Sequence, residues 1–512
     1  MSTTVVLLHH DDDVAVAIRD LPAGSAVSAG AISVTARADV PRGHKIAVRE
    51  IAAGAPVHKY GQPIGTATSA IGAGEHVHVH NLGMPDESHE LVIGGAGASA
   101  AGSGRLSAEV PTFEGIRRPD GRIATRNYLC VLSTVNCSAT VAKRIAAQAE
   151  ASGLLDQAPG VDGIVALTHS TGCGMAGDGE GMAILRRSLT GYARHPNVGG
   201  VLVLGLGCEV NQVGELTADL RLPEHVPLRA MTIQELGGSP AAVREGLHQV
   251  EQMLAAMQGV RRAPVPVSEL VLGLQCGGSD GWSGLTANPA LGVASDLLVE
   301  FGGTSILGET PEVYGAEHLL LRRAASDEVG QRLVDRIRWW ERYTAANGGS
   351  MDNNPSPGNK AGGLTTIVEK SLGAVAKAGG SRLQAVYEYA EQVTSRGLVF
   401  MDTPGYDPVS VTGMVAGGAN IVCFTTGRGS VFGCKPVPSV KLSTNSELYR
   451  RMPEDMDLDC GTIVEGAGET VEQAGRRIFT RIVEVASGRR TASEELGFGD
   501  EEFIPWQLGA VM

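Results

Sequence analysis

The sequence predicts an α/β protein: a small β-rich N-terminal module followed by a large α/β body with mainly parallel sheets in two subdomains. Three observations predict it. Residues 1–83 hold short apolar runs separated by Pro-Ala-Gly, Pro-Arg-Gly and Ala-Gly turn signals. From about residue 112, strand-like and helix-like stretches alternate, as in βαβ units. The 69 glycines stand against only 4% aromatic residues, so tight connections at strand ends are expected. At roughly 150 residues per domain, 512 residues suggest about three domains.

In the module, strands are expected at 5–8, 14–18, 32–35, 45–48 and 65–68, with turns at Pro22-Ala-Gly24, Pro41-Arg-Gly43, Ala53-Gly54 and Ala73-Gly74. Histidine is frequent here: His9, His10, His44, His58, His76, His78 and His80. His76, His78 and His80 alternate and would share one side of a strand. That is either a metal site or an exposed polar face. A Gly/Ala/Ser-rich linker occupies 84–111, with its densest run at 94–104.

The first α/β domain is expected over 112–262. Strands near 128–132, 163–168, 200–206 and 229–233 alternate with helices, the first of them capped by Ser138. The Pro-containing run 261–266 reads as a boundary. The second α/β domain, 263–512, has strands near 270–274, 304–307, 398–401 and 421–425 and a helical tail, amphipathic over 470–485.

The net charge of -14 and the lack of a long basic run argue against nucleic acid or an anionic membrane as partner. No apolar run has the length of a membrane span, and the first ten residues lack the basic start of a signal peptide. A cytoplasmic protein with mostly reduced cysteines is expected, and an acidic α/β body of this size suggests a homodimer.

Polar residues gather just after the expected strands: Asn136, Cys137, His169, Cys173, Cys208, Glu209, Gln275, Cys276, Ser279, Asp280, Glu309, Glu312, Asp402 and Arg428. Parallel sheets bind ligands at the carboxyl ends of their strands, so these residues are expected to converge on one crevice. Cys137, Cys173, Cys208, Cys276 and Cys434 are possible ligands of iron or of an iron–sulfur cluster; the alternative is a small buried residue. No phosphate-binding or dinucleotide-binding glycine signature is present.

One stretch, 351–370, joins a Pro/Gly-punctuated polar loop carrying Asn359 and Lys360 to a helix opened by Thr366 and Glu369 at capping-box spacing. A helix terminus behind such a loop favours an anion.

Several strings carry a resemblance. They are Leu8-His-His-Asp-Asp-Asp-Val-Ala-Val-Ala17, Arg42-Gly-His-Lys45, Lys59-Tyr-Gly61, the run from Gly74 to Asn81, the run from Gly121 to Tyr128, the run from Gln275 to Gly284, Thr286-Ala-Asn-Pro289, Gly315-Ala-Glu-His318 and 353–370. With them the chain resembles the altronate/galactarate dehydratase family of sugar-acid hydro-lyases over nearly its whole length, and the module is similar to a SAF-type β-clip domain. Asp13 departs from the family's usual Asn. The 354–363 string is closer to the galactarate branch. Some relatives eliminate sulfite from sulfolactate with module and body on separate chains; here they are fused.

The resemblance implies dehydration of a sugar acid to a 2-keto-3-deoxy acid, aided by a divalent ion, Fe2+ first, with Mn2+ or Mg2+ as alternatives. Such an ion would stabilise the enediolate formed when the proton beside the carboxylate leaves. Candidate metal ligands are His9, His44, His78, His80 and Asp12. Candidate bases are His169, Lys360 and Glu309. Arg126, Asn127, Ser279, Asp280, Asn359 and Arg428 are candidate substrate contacts, the two arginines as carboxylate forks or as structural ion pairs. The alternatives are a sulfite-eliminating lyase acting on a sulfonated hydroxy acid such as sulfolactate and a non-catalytic sugar-acid binding protein.

Overall fold

A computed structural model describes residues 4–30, 32–85, 91–94, 110–465 and 468–511. Most of the expected linker, 86–90 and 95–109, lies outside these residues. Among the described residues no helix is long and apolar enough to cross a membrane.

The module is a set of small antiparallel sheets. Val14–Ala17 pairs with Val5–Val6 and with Lys45–Ala47, which in turn pairs with His76–Val77. The four anticipated turns all form. Their glycines, Gly24, Gly43, Gly54 and Gly74, have φ of 78° to 86°, and each turn closes through a backbone bond of 3.0–3.1 Å. Positive φ at the third position is the type II requirement, which only glycine meets without strain. Val14, Val57, Ile64 and Val77 point inward and join the core of the body.

Among the described residues the body holds two wholly parallel sheets and a small antiparallel one. In the first, β1 (Tyr128–Ser133), β2 (Gly163–Leu167), β3 (Val198–Gly205) and β4 (Leu228–Thr232) lie in the order β2-β1-β3-β4. In the second, β5 (Val271–Cys276), β6 (Thr304–Leu307), β7 (Leu383–Tyr387), β8 (Gly397–Met401), β9 (Ile421–Thr426), β10 (Ser439–Ser443) and β11 (Leu458–Asp459) lie in the order β7-β8-β6-β5-β9-β10-β11. Strands β1, β3 and β9 are buried at every residue, as sheets covered on both faces require.

Three local expectations change. Ser138 does not cap the first helix, which starts at Asn136 behind Val135; its hydroxyl is buried instead on Leu204 O at 2.9 Å. The 261–266 run is not a plain boundary, since Arg262–Pro266 pairs antiparallel with Thr112–Arg117. The tail is not only helical, because Leu458–Asp459 adds the last strand, β11.

Candidate functional site

Strand order fixes where a ligand can enter. From β5 the chain moves to its neighbour β6, while from β9 it moves to β10 on the other side. The loops beyond β5 and β9 therefore diverge and leave a crevice at the carboxyl edge. The module covers this crevice with its Pro41–His44 turn. Three backbone segments cross there at distances that exclude side chains. A Cβ on Gly281 would lie 2.0 Å from Gly43 O, and one on Gly363 2.2 Å from the same oxygen. Gly281 N donates to Gly362 O at 2.8 Å. A pocket of about 140 Å³ opens beside this crossing, lined by Arg42, Asp280, Trp282, Gly362, Arg428 and Asn445 among others.

Within the pocket Asp280 is buried. Its carboxylate accepts from Trp282 N at 3.1 Å, Ser283 Oγ at 3.0 Å, Thr444 Oγ1 at 3.0 Å and Asn445 Nδ2 at 3.1 Å. Burial raises its pKa, and the hydrogen bonds only partly offset the rise. Ser279 O accepts from Asn359 Nδ2 at 2.8 Å. Asn359 is engaged as a scaffold, since it also completes the capping box with Ser356 that opens a one-turn helix, Pro357–Ala361. Lys360 sits on that turn, half-buried, with no side-chain partner among the described residues. Arg428 is exposed at the rim. Arg42 lies over Trp282, 4.3 Å from the ring centre, and pairs with Glu447 at 2.6 Å.

The helix behind Lys360 does not present a free terminus. Ile367 N donates to Asp352 Oδ1 at 3.0 Å. Thr366 caps Glu369 N as its spacing implies, but the Glu369 carboxylate does not return the bond. It accepts Lys45 Nζ at 2.9 Å and Lys59 Nζ at 2.8 Å. All three side chains are buried, so this is a charged pin between module and body.

Next to the crossing lies the histidine cluster. One ring nitrogen each from His44, His76 and His78 falls within a mutual 4.8 Å. His44 Nδ1 is 3.0 Å from His76 Nε2, and His44 Nε2 is 3.2 Å from Ala361 O, one residue from Lys360. Burial lowers the pKa of all three rings, to about 4 for His76 and about 3 for His78. They are neutral lone-pair donors at pH 7. His78 Nδ1 is buried with no hydrogen-bond partner among the described residues. An orphaned donor beside two imidazoles fits a divalent first-row ion. His76 was missing from the expected ligands; the 76–78–80 alternation was its signal. The strand ends at Val77, and the turn that follows leaves His80 exposed, 5.5 Å from the His76 ring. His9 belongs to a separate exposed group with His10 and Asp11. Asp12 ties loops together, accepting from His9 N, Tyr60 N and Gly61 N, and Asp13 holds His58 Nδ1 at 2.8 Å.

Glu309 belongs to a second buried cluster, under the same edge. It has φ of 63°, a strained conformation for a non-glycine residue. It accepts from Gln275 Nε2 at 2.7 Å and Lys377 Nζ at 3.1 Å. Cys276 Sγ is 2.7 Å from the same ammonium, and Lys370 pairs with Glu312 at 2.6 Å. Burial, with Glu312 beside it, pushes Glu309 up to about 8.

The remaining candidates lie elsewhere, because there are two carboxyl edges rather than one crevice. His169 follows β2 in the other sheet. Its Nε2 is 3.1 Å from Ser133 O and its Nδ1 3.1 Å from Thr171 Oγ1; burial lowers it to about 4. Arg126 and Asn127 stand at the amino end of β1. Arg126 forks onto Glu494 at 2.6 and 2.9 Å and spends its other donors on backbone carbonyls. Asn127 binds Arg118 and Gly160 O.

Comparison with known proteins divides the chain into three matched parts. Residues 3–85 match the altronate/galactarate dehydratase SAF domain. Residues 115–258 match the D-galactarate dehydratase/altronate hydrolase second domain, and 267–511 the D-galactarate/altronate dehydratase C-terminal domain. Altronate dehydratase of Bacillus subtilis is 38% identical over 96% of this chain and 97% of its own. Galactarate dehydratase (L-threo-forming) of Escherichia coli is 37% identical over 97% and 95%. The β subunit of (2R)-sulfolactate sulfo-lyase from Chromohalobacter salexigens is 32% identical over 78% of this chain and 97% of its own.

Proposed function

The chain belongs to the altronate/galactarate dehydratase family of hydro-lyases, and we propose that it removes water from an aldonate or aldarate to give a 2-keto-3-deoxy acid. The observation that carries this reading is the shared seam. His44 of the module and the Lys360 turn of the body touch at 3.2 Å, beside a pocket holding Asp280 and Arg428.

The proton beside a carboxylate is weakly acidic, so its removal needs a positioned base and a stabilised enediolate. Asp280 is the proposed base: its carboxyl lines the pocket, no cation among the described residues pairs with it, and burial raises its proton affinity. Lys360 and Arg428 hold the substrate carboxylates by charge-assisted bonds. Arg42, stacked on Trp282, closes the pocket against water. His44, His76 and His78 would hold a divalent ion, Fe2+, Mn2+ or Mg2+, which when bound supplies charge stabilisation for the enediolate and the departing hydroxyl.

The test is a screen of aldonates and aldarates with each added ion, reading 2-keto-3-deoxy acid formation. Asp280→Asn is expected to abolish turnover, and Lys360→Ala to raise KM. No turnover on any sugar acid, with sulfite released from sulfolactate, rejects the proposal in favour of sulfite elimination.

A further inference from the structure

The chain has eight cysteines, and their exposure divides them sharply. Cys130, Cys276, Cys423, Cys434 and Cys460 are buried, while Cys137, Cys173 and Cys208 are exposed. Free cysteine is usually a buried residue, so an exposed thiol is the unusual case. All three exposed thiols lie at one edge. Cys137 follows β1, Cys173 follows β2 and Cys208 follows β3, three adjacent strands of the four-stranded sheet.

That edge is also the sheet's switch point. From β1 the chain moves to β2, and from β3 it moves to β4 on the other side, so the loops after β1 and β3 diverge. The three loops are stitched to one another. Asn136 N donates to Thr171 O at 3.0 Å, Asn211 N to Gly172 O at 3.0 Å, and Asn211 Nδ2 to Thr134 O at 3.0 Å. Thr134 Oγ1 donates to Glu209 Oε1 at 2.6 Å. Each cysteine is next to a residue of this network, so its backbone is fixed. Cys137 also lies in the first turn of a sixteen-residue helix, which fixes its position further.

We propose that Cys137, Cys173 and Cys208 ligate an iron–sulfur cluster, with one iron left open to an oxygen ligand. A single zinc fits less well. Zinc–sulfur bonds of about 2.3 Å bring tetrahedral thiolates to about 3.8 Å from one another. These three do not form a ligand group within 4.8 Å. A cluster carries its irons at separate corners and takes thiolates set further apart. Ligation releases one proton from each thiol, three per chain. This site is separate from the histidine cluster of the module and does not rest on the dehydratase reading.

The full chain, purified without oxygen and reconstituted with Fe2+ and sulfide, is assayed for iron, acid-labile sulfide and sulfur-to-iron charge-transfer absorption. About four sulfides per chain are expected, with about four irons beyond any held by the histidine cluster, the sulfide falling at least fivefold in Cys137→Ser, Cys173→Ser and Cys208→Ser. Alkylation with mass spectrometry guards against misfolded variants: the loaded wild type should protect all three thiols together and expose them after the cluster is oxidised. Iron bound without sulfide and unchanged in the variants overturns the proposal. So does one zinc per chain that the variants lose, or a loaded chain whose three thiols react freely.

Discussion

Lys45 and Glu369 meet at 2.9 Å with neither side chain exposed to solvent. They are 324 residues apart and bring the residue after His44 against the helix behind Lys360. Glu369→Gln leaves Lys45 and Lys59 as buried cations without a counter-charge. A loss of about 3–5 kcal/mol is expected, as for other broken buried pairs, read by denaturant melts. The two lysines hold Glu369 far below the usual carboxylate range against the opposing effect of burial. A depressed carboxylate contributes stability that is full above its unfolded pKa, near 4.5, and lost as pH falls through the folded value. The gap between wild type and Glu369→Gln should therefore be constant near neutrality and narrow below about pH 4.5. A gap that widens in acid would contradict this.

His78→Ala should weaken Mn2+ binding by more than about 100-fold, since even outer-shell partners of metal ligands cost 10–100-fold. His9→Ala should leave it unchanged, because His9 lies in a separate exposed group. Titration calorimetry on both variants checks the assignment; equal losses would remove the His44, His76 and His78 site.

Gly281→Ala drives a methyl group onto Gly43 O. The expected cost is about 1–3 kcal/mol of overpacking, together with weaker metal binding as the Pro41–His44 turn is pushed out. A variant with wild-type melting and metal affinity would show that the crossing is looser than the backbone distances state.

Arg428→Ala should raise KM by at least about tenfold, the equivalent of 1.4 kcal/mol, and more for aldarates than for aldonates, which lack a second carboxylate. Arg126→Ala should behave in the opposite way. It unpairs buried Glu494, so about 3–5 kcal/mol of stability is lost while KM of the folded fraction is unchanged. Steady-state kinetics and melting of the two variants separate the roles.

What the sequence discloses depends on how local each cause is. The four type II turns of the module were legible because a glycine at the third position is a local requirement. Thr366 was legible as a cap for the same reason. The use of Glu369 was not, since its partners Lys45 and Lys59 come from another module. Arg126 looked like a carboxylate fork and is one, but its carboxylate is Glu494 of the chain's own tail. The strand-end clustering was correctly seen, yet strand order alone reveals that it divides between two edges. The alternation of His76, His78 and His80 signals the cluster, but it cannot say where the strand ends, and His80 falls outside the group.

The pairing of Thr112–Arg117 with Arg262–Pro266 has a topological consequence. The chain enters and leaves the four-stranded sheet through neighbouring strands, about 4.8 Å apart. The intervening 144 residues, 118–261, are therefore an insertion carried on a two-strand neck. Its orientation on the rest of the molecule is set by far more than that neck: one apolar core crosses the junction, with Leu132, Leu189 and Tyr192 on one side and Met401, Met414 and Phe424 on the other, and His195 Nε2 to Ala419 O at 3.0 Å and Asn197 Nδ2 to Pro436 O at 2.9 Å add polar ties. During synthesis the neck cannot close until the whole insertion has emerged, so the carrier sheet waits for its passenger.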